Sequence, residues 1–339
     1  MMFVASSLAQ FRQVFSEGLA RMLAPDEPGA YILALANSLQ SAELRAQLAA
    51  ALSANFAELK RGFEAGRLDI TADDREVFQQ LLAINPQALE INRKMQAGDW
   101  AIQLNSMRAL RPPRAASQTV TRLTRAFDAD KFNFNKPFLR PEILWQGMWQ
   151  GNELRVLYNK FPLAPWHMLI VPNPALGHAQ FLTADYHFMA AQLVLQQQAA
   201  LTGLTLGYNS LGAYASVNHL HFHGVIRERA FPVESRQWKH HGGHRAYPLS
   251  LCWFESAEAS WDEIERLHAA SQAYNLLYTR QGIYVMARQF QNSVEVPAIM
   301  RGAGWPELCG EVTVTSMADV EGDTADNIQR GLGLLSVKK

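Results

Sequence analysis

The sequence predicts an α+β protein with a helical N-terminal extension, and three observations carry that reading. Apolar residues recur at spacings of three and four through residues 7–60, short alternating runs dominate from about residue 131, and Gly, Asn and Pro separate those runs. The 339 residues are 48% hydrophobic, enough for a substantial core. Lys plus Arg and Asp plus Glu number 31 each, so no basic field gathers a polyanion along a track, and neither nucleic acid nor a membrane is an expected partner. A small charged ligand in a local pocket fits that balance.

Two cysteines, Cys252 and Cys309, are too few for a disulfide framework and exclude a four-cysteine zinc site. The first ten residues lack a basic segment followed by a long apolar one, and no apolar run reaches the roughly 18 residues that span a bilayer. A cytoplasmic protein is expected.

Leu39, Leu44, Leu48, Leu52 and Phe56 mark the amphipathic helices of the N-terminus, a stretch whose polar groups suggest only a helical cap or a partner-binding face. A further helix is expected over residues 72–83. Arg111-Pro112-Pro113-Arg114 then reads as an extended connection, because proline lacks a backbone donor and disfavours helix before it. Strands are expected over residues 131–135, 144–149, 155–159 and 168–171, in an antiparallel sheet. A helix over 184–200, with Phe188, Ala191 and Leu195 on one face, precedes strands over 205–208 and 216–227. Strands over 249–254 and 274–287, flanking a helix over 260–273, repeat the mixture in weaker form, as a second related half.

The run His219-Leu220-His221-Phe222-His223 carries the chemistry. On a strand, residues two apart face one side, so three imidazoles share an environment while Leu220 and Phe222 face away. Two readings compete. A tetrahedral metal wants ligands near ~2 Å, which suits poorly three side chains spread over ~13 Å of straight strand. A neutral imidazole attacking phosphorus, with imidazole donors on either side, suits the spacing and makes His221 the nucleophile.

The segment Leu206-Gly207-Tyr208-Asn209-Ser210-Leu211-Gly212-Ala213-Tyr214-Ala215-Ser216-Val217-Asn218-His219-Leu220-His221-Phe222-His223 closely resembles the active-site segment of the GDP-hexose phosphorylases (GDP-D-glucose and GDP-L-galactose phosphorylases). These form part of the galactose-1-phosphate uridylyltransferase branch of the histidine-triad (HIT) superfamily. Asp130-Lys131-Phe132-Asn133-Phe134-Asn135-Lys136, Phe231-Pro232-Val233-Glu234, Tyr247-Pro248-Leu249, Tyr274-Asn275-Leu276-Leu277 and Glu321-Gly322 with Asn327 resemble family segments in family order. The resemblance extends over about residues 56–337.

It implies a HIT-like, galactose-1-phosphate uridylyltransferase-like fold of two related antiparallel-sheet halves with helices. The expected division is a helical extension over 1–55, a catalytic half over 56–235 and a second half over 236–339. It also implies nucleotidyl transfer from a nucleoside diphosphate sugar through nucleotidyl-His221, with His219 and His223 in support and orthophosphate or water as acceptor. Asn209, Gly212, Ser216 and Asn218 would meet the ribose or phosphates. Lys131, Asn133, Asn135 and Lys136 would wall the nucleotide pocket or else be solvated turn residues. His167, in Pro165-Trp166-His167-Met168, is either an orienting partner of a triad imidazole or a strand-start histidine.

One departure stands out: the family carries glutamine where this chain has His223. Glutamine is a pH-independent donor, whereas histidine also charges or acts on water, so a hydrolase of nucleotide conjugates such as dinucleoside polyphosphates is the alternative. A catalytically idle nucleotide-binding regulator is a third reading. The Lys239-His240-His241-Gly242-Gly243-His244-Arg245 run reads as a flexible basic loop over the phosphates rather than a metal site, and Arg288 as a surface residue by default. No metal or cofactor is expected, and a homodimer is the oligomer the superfamily suggests.

Overall fold

The computed structural model describes residues 3–23, 27–111, 120–320 and 322–337. Pro112, Pro113 and Arg114 of the expected connection, and Glu321, lie outside the described residues.

Side-chain caps start three of the four N-terminal helices. Ser7 accepts from the Gln10 amide at α1 (Leu8–Met22), Ser41 from the Leu44 amide at α3 (Ala42–Glu64), and Thr71 from the Asp74 amide at α4 (Ala72–Ile84). Phe11, Phe15, Leu19 and Met22 form the buried stripe of α1, and Leu44, Leu48, Leu52 and Leu59 that of α3. Between them α2 (Pro28–Ser38) is buried from Tyr31 to Ser38, as a helix without a polar face must be. The bundle sits against the sheet. Phe15 meets the rings of Tyr158 and Trp166 edge-on at 4.6 and 5.3 Å, and the Tyr158 hydroxyl donates to the Phe15 carbonyl at 2.9 Å.

Eight strands make one antiparallel sheet. Its order is β3 (Ile143–Trp149), β4 (Asn152–Tyr158), β5 (Met168–Pro172), β7 (Phe222–Ile226), β6 (Leu204–Asn209), β9 (Tyr274–Thr279), β10 (Gly282–Ala287) and β8 (Leu251–Phe254). β6 is the seam, with Gly207 opposite His223 of β7 and Asn209 opposite Asn275 of β9. Helices α5 (Ala184–Gln197) and α6 (Ala257–Ala269) pack on each other and on β6, β9 and β10. A three-stranded sheet holds β1 (Arg93–Ala97), β2 (Trp100–Leu104) and β11 (Glu311–Val314), with β11 parallel to β2. It encloses a second core, including Trp100, Ile102, Trp238, Trp305 and Val312, with α7 (Trp305–Leu308) and α8 (Thr324–Leu335). Among the described residues no helix is long and apolar enough to cross a membrane.

Several local expectations are corrected. Residues 131–135 are turns, because the Asn133 side chain takes up the backbone: its Nδ2 donates to Ala129 and Lys131 carbonyls and its Oδ1 accepts from the Asn135 amide. The expected 216–227 strand is ordered as a strand only from Phe222. Leu195 is 56% exposed, and the buried stripe of α5 runs instead through Met189, Ala190, Leu193 and Val194. Arg288 is fully buried, donating to the Ala303 and Gln289 carbonyls with its guanidinium 5.1 Å from the Tyr214 ring centre. The 239–245 run is tied down, because His240 Nε2 lies 2.8 Å from the Val233 carbonyl and His241 Nε2 2.7 Å from the Tyr284 hydroxyl.

Candidate active site

His221 lies one residue before β7, and Gln180 holds it where a ladder would otherwise do so. The buried Gln180 side chain accepts from the His221 amide at 2.9 Å and donates to the carbonyls of Asn209 at 2.9 Å and His221 at 3.2 Å. The Leu220 amide donates to the His178 carbonyl at 2.8 Å. These bonds satisfy a segment that turns its imidazoles inward without a strand partner.

The ring of His221 has a defined tautomer. Its Nδ1 lies 2.7 Å from the His219 carbonyl oxygen, which only accepts, so Nδ1 carries the proton and the neutral ring keeps its lone pair on Nε2. Burial lowers its pKa to about 4, slightly opposed by that same bond, so the ring is neutral at pH 7.

A second chain of donors fixes His223. The Leu163 amide donates to His167 Nδ1 at 3.1 Å, so the neutral His167 carries its proton on Nε2, 3.0 Å from His223 Nδ1. His223 Nδ1 is then an acceptor and its Nε2 carries the proton. The side-chain nitrogen Nδ2 of Asn159 lies 3.4 Å from His167 Nδ1 and 3.2 Å from its Nε2. Burial, with Arg108 and Arg111 nearby, lowers the His167 pKa to about 3, and burial and then His167 push His223 well below the ordinary value. His167 therefore has the geometry of the orienting alternative.

His219 faces elsewhere. Its Nδ1 accepts from the Phe134 amide at 3.2 Å and its ring lies 5.0 Å from that of Phe127, so it braces the loop that brings Phe134 to within 5.0 Å of the His221 ring. Burial and then the His221 neighbour lower its pKa to about 4.

A cavity of about 1310 Å³ opens onto His221, His223 and His167, with Asn209, Ser216, Phe132 and Phe134 also on its wall. Asn209 Oδ1 accepts from Asn275 Nδ2 at 2.6 Å and from the Trp305 amide at 3.0 Å, joining β6, β9 and α7 at the cavity. The remaining expected contacts lie behind the wall. Asn218 is engaged with the Arg125 and Ala126 carbonyls and the Gln180 amide. Gly212, at φ +78°, supports the turn where a Cβ would stand 2.3 Å from the Phe290 ring. Asn135 bonds the Pro174 carbonyl and Arg155, Lys136 the Ala129 and Asp130 carbonyls, and Lys131 pairs with Asp128 at 3.7 Å. Together with Asn133 they shape the loop under Phe134. The 239–245 run does not border the cavity.

Sequence reasoning missed Gln180, Arg108, Arg111, Trp305 and Glu307. The last four line the cavity, and burial raises the Glu307 pKa against the opposing charge of Arg108. They come from three separate segments, Gln180 alone, the turn carrying Arg108 and Arg111, and α7 with Trp305 and Glu307, none with a spacing that marks it. Among the described residues no group of three or more His, Cys, Asp or Glu is arranged to hold a metal ion.

Residues 88–225, which contain the histidine run, match the family model described as GDPGP1-like, N-terminal domain. GDP-D-glucose phosphorylase 1 of Macaca fascicularis is 37% identical over 144 residues, 40% of this chain and 36% of that protein. GDP-L-galactose phosphorylase 1 of Arabidopsis thaliana is 30% identical over 157 residues, 41% of this chain and 34% of that protein. The matches thus span about a third of the length of these relatives. The crystal structure of yeast Ap4A phosphorylase Apa2 in complex with AMP superposes with a TM-score of 0.51 at 15% identity, over 78% of this chain and 96% of that one, which is a likeness of fold. The chain is thus an α+β protein with a HIT-like fold, and its residues 88–225 match the GDPGP1-like N-terminal domain model.

Proposed function

We propose that the protein is a nucleotidyltransferase acting on a nucleoside diphosphate sugar, with His221 as covalent nucleophile. The observation that carries this reading is the His221 ring itself: neutral, with Nδ1–H held by the His219 carbonyl, on the wall of a large cavity. Its Nε2 lone pair attacks the α-phosphorus, forming a P–N bond as the bond to the bridging oxygen breaks and the sugar phosphate leaves. Orthophosphate then attacks that phosphorus, the P–N bond breaks, and nucleoside diphosphate is released with the electron pair returned to Nε2. His223, presenting Nε2–H, donates to a phosphate oxygen in both steps, and Ser216 and Asn209 are candidate contacts to phosphate and ribose. The names of the relatives, GDP-D-glucose and GDP-L-galactose phosphorylases, support guanine as the base and orthophosphate as the acceptor.

His223 also favours a second reading, hydrolysis, since an imidazole can deliver water to the same intermediate. Purified protein incubated with nucleoside diphosphate sugars and dinucleoside polyphosphates, with and without orthophosphate, separates the two. Nucleoside diphosphate formed only with phosphate is the expected result, and nucleoside monophosphate formed without it makes the protein a hydrolase. His221→Ala is expected to abolish either reaction, and unchanged turnover in that variant refutes the covalent step. A cytoplasmic setting, proposed from the free thiols of Cys252 and Cys309, and a homodimer complete the reading.

A further inference from the structure

The cavity that opens onto His221 continues well beyond it. At about 1310 Å³ it exceeds the roughly 300–1,000 Å³ of ordinary small-ligand sites, leaving space past a nucleotide. Its far wall is built by the N-terminal bundle: Arg21 of α1, Gly29 at the start of α2, and Thr71 and Asp74 at the start of α4. Lys160, from the loop joining β4 to β5, crosses to that wall and pairs with Asp74 at 2.5 Å, the two side chains 24% and 18% exposed. The pair is reached over a bare backbone, because a Cβ at Gly29 would stand 2.7 Å from Asp74 Oδ2 and 3.1 Å from Lys160 Nζ.

We propose that Asp74 and Lys160 form a second subsite of this cavity, which takes the polyhydroxylated moiety of the substrate. The proposal rests on the reading of the protein as a sugar-nucleotide enzyme. A carboxylate accepts from sugar hydroxyls and an ammonium donates to them, and each group holds the other in place before the sugar arrives. Carbon-linked hydroxyls suit this wall better than a second phosphate, whose charge Asp74 repels. Asp74 comes from α4, outside the matched residues 88–225, and Lys160 from within them, so sugar selection would be shared between the N-terminal helices and the matched domain. The N-terminal helices are then part of the substrate site.

The test compares two donors of the same nucleotidyl group: GDP-D-glucose, and the p-nitrophenyl ester of GMP, which loads His221 without a hexose. In Asp74→Asn and in Gly29→Val, the loss of kcat/KM on GDP-D-glucose is expected to exceed the loss on the ester by at least tenfold. Gly29→Val keeps both charges and reports on the subsite should Asp74→Asn lower the folded yield. Equal losses on both donors, or none, overturn the subsite while wild-type turnover of GDP-D-glucose leaves the enzymatic reading standing. A wild-type protein that turns over the ester but no sugar nucleotide in the panel overturns both.

Discussion

Burial of His221 sets a pH dependence that differs sharply from that of a free imidazole. The perturbation is acidification, and the relevant quantity is the fraction of free protein whose His221 keeps a lone pair on Nε2. With its pKa at about 4, burial having disfavoured the cation, the acid limb of activity moves down. At about pH 5.5 roughly 97% of the rings would still be neutral, against roughly 9% for an imidazole at its ordinary value of about 6.5, a tenfold difference in competent protein. His219 and His167, at about 4 and about 3, add no limb above that range, and His223 is shifted in the same direction. The assay is kcat/KM for the nucleotide donor between about pH 5.5 and 8 at constant ionic strength. In a two-step transfer this parameter reports only the first step, so the titration of orthophosphate does not enter. A flat profile is expected. A tenfold fall with a midpoint near pH 6.5 refutes the assignment of a buried, neutral nucleophile.

Two substitutions test the scaffold. Gln180→Met removes one acceptor and two donor bonds around His221, leaving a buried amide and two carbonyls unpaired, and should cost roughly 2–5 kcal/mol in urea unfolding. An unchanged midpoint there means that Gln180 does not hold the segment. Gly207→Ala places a Cβ 2.3 Å from the Trp305 indole, so β6 and α7 must separate; a loss of about 1–3 kcal/mol is expected, read as a lower melting temperature, and a stability equal to wild type shows that the indole has room to move.

Legibility followed the range of the interactions. The α+β class, the N-terminal helices and the middle strands were readable because their periodicity is local, as with Leu44, Leu48 and Leu52 on α3. The histidine run was readable by its alternation, although the segment gains its shape from Gln180, whose position 41 residues upstream carries no signal. Residues 131–135 alternate like a strand, yet the Asn133 amide outcompetes a ladder for the local backbone groups. Arg288 looked like a surface charge because only the folded chain brings the Ala303 carbonyl and the Tyr214 ring to it. The small sheet stayed hidden, since β2 and β11 are short and meet only across most of the chain.

That last pairing has a consequence for how the protein is made. Ile102 lies opposite Val312 in a parallel ladder, so the partner of β2 is synthesised about 210 residues later, on the order of 10–40 s at ribosomal rates. Through that interval Trp100 and Ile102 lack the cover of Trp305 and Val312, and the nascent β1–β2 hairpin presents one unpaired edge and an aromatic face to its surroundings. Helices α1–α4, whose contacts with one another are local, form in the meantime. Maturation is therefore vectorial: an early helical body, then a long exposure, then closure of the second core by the last strand.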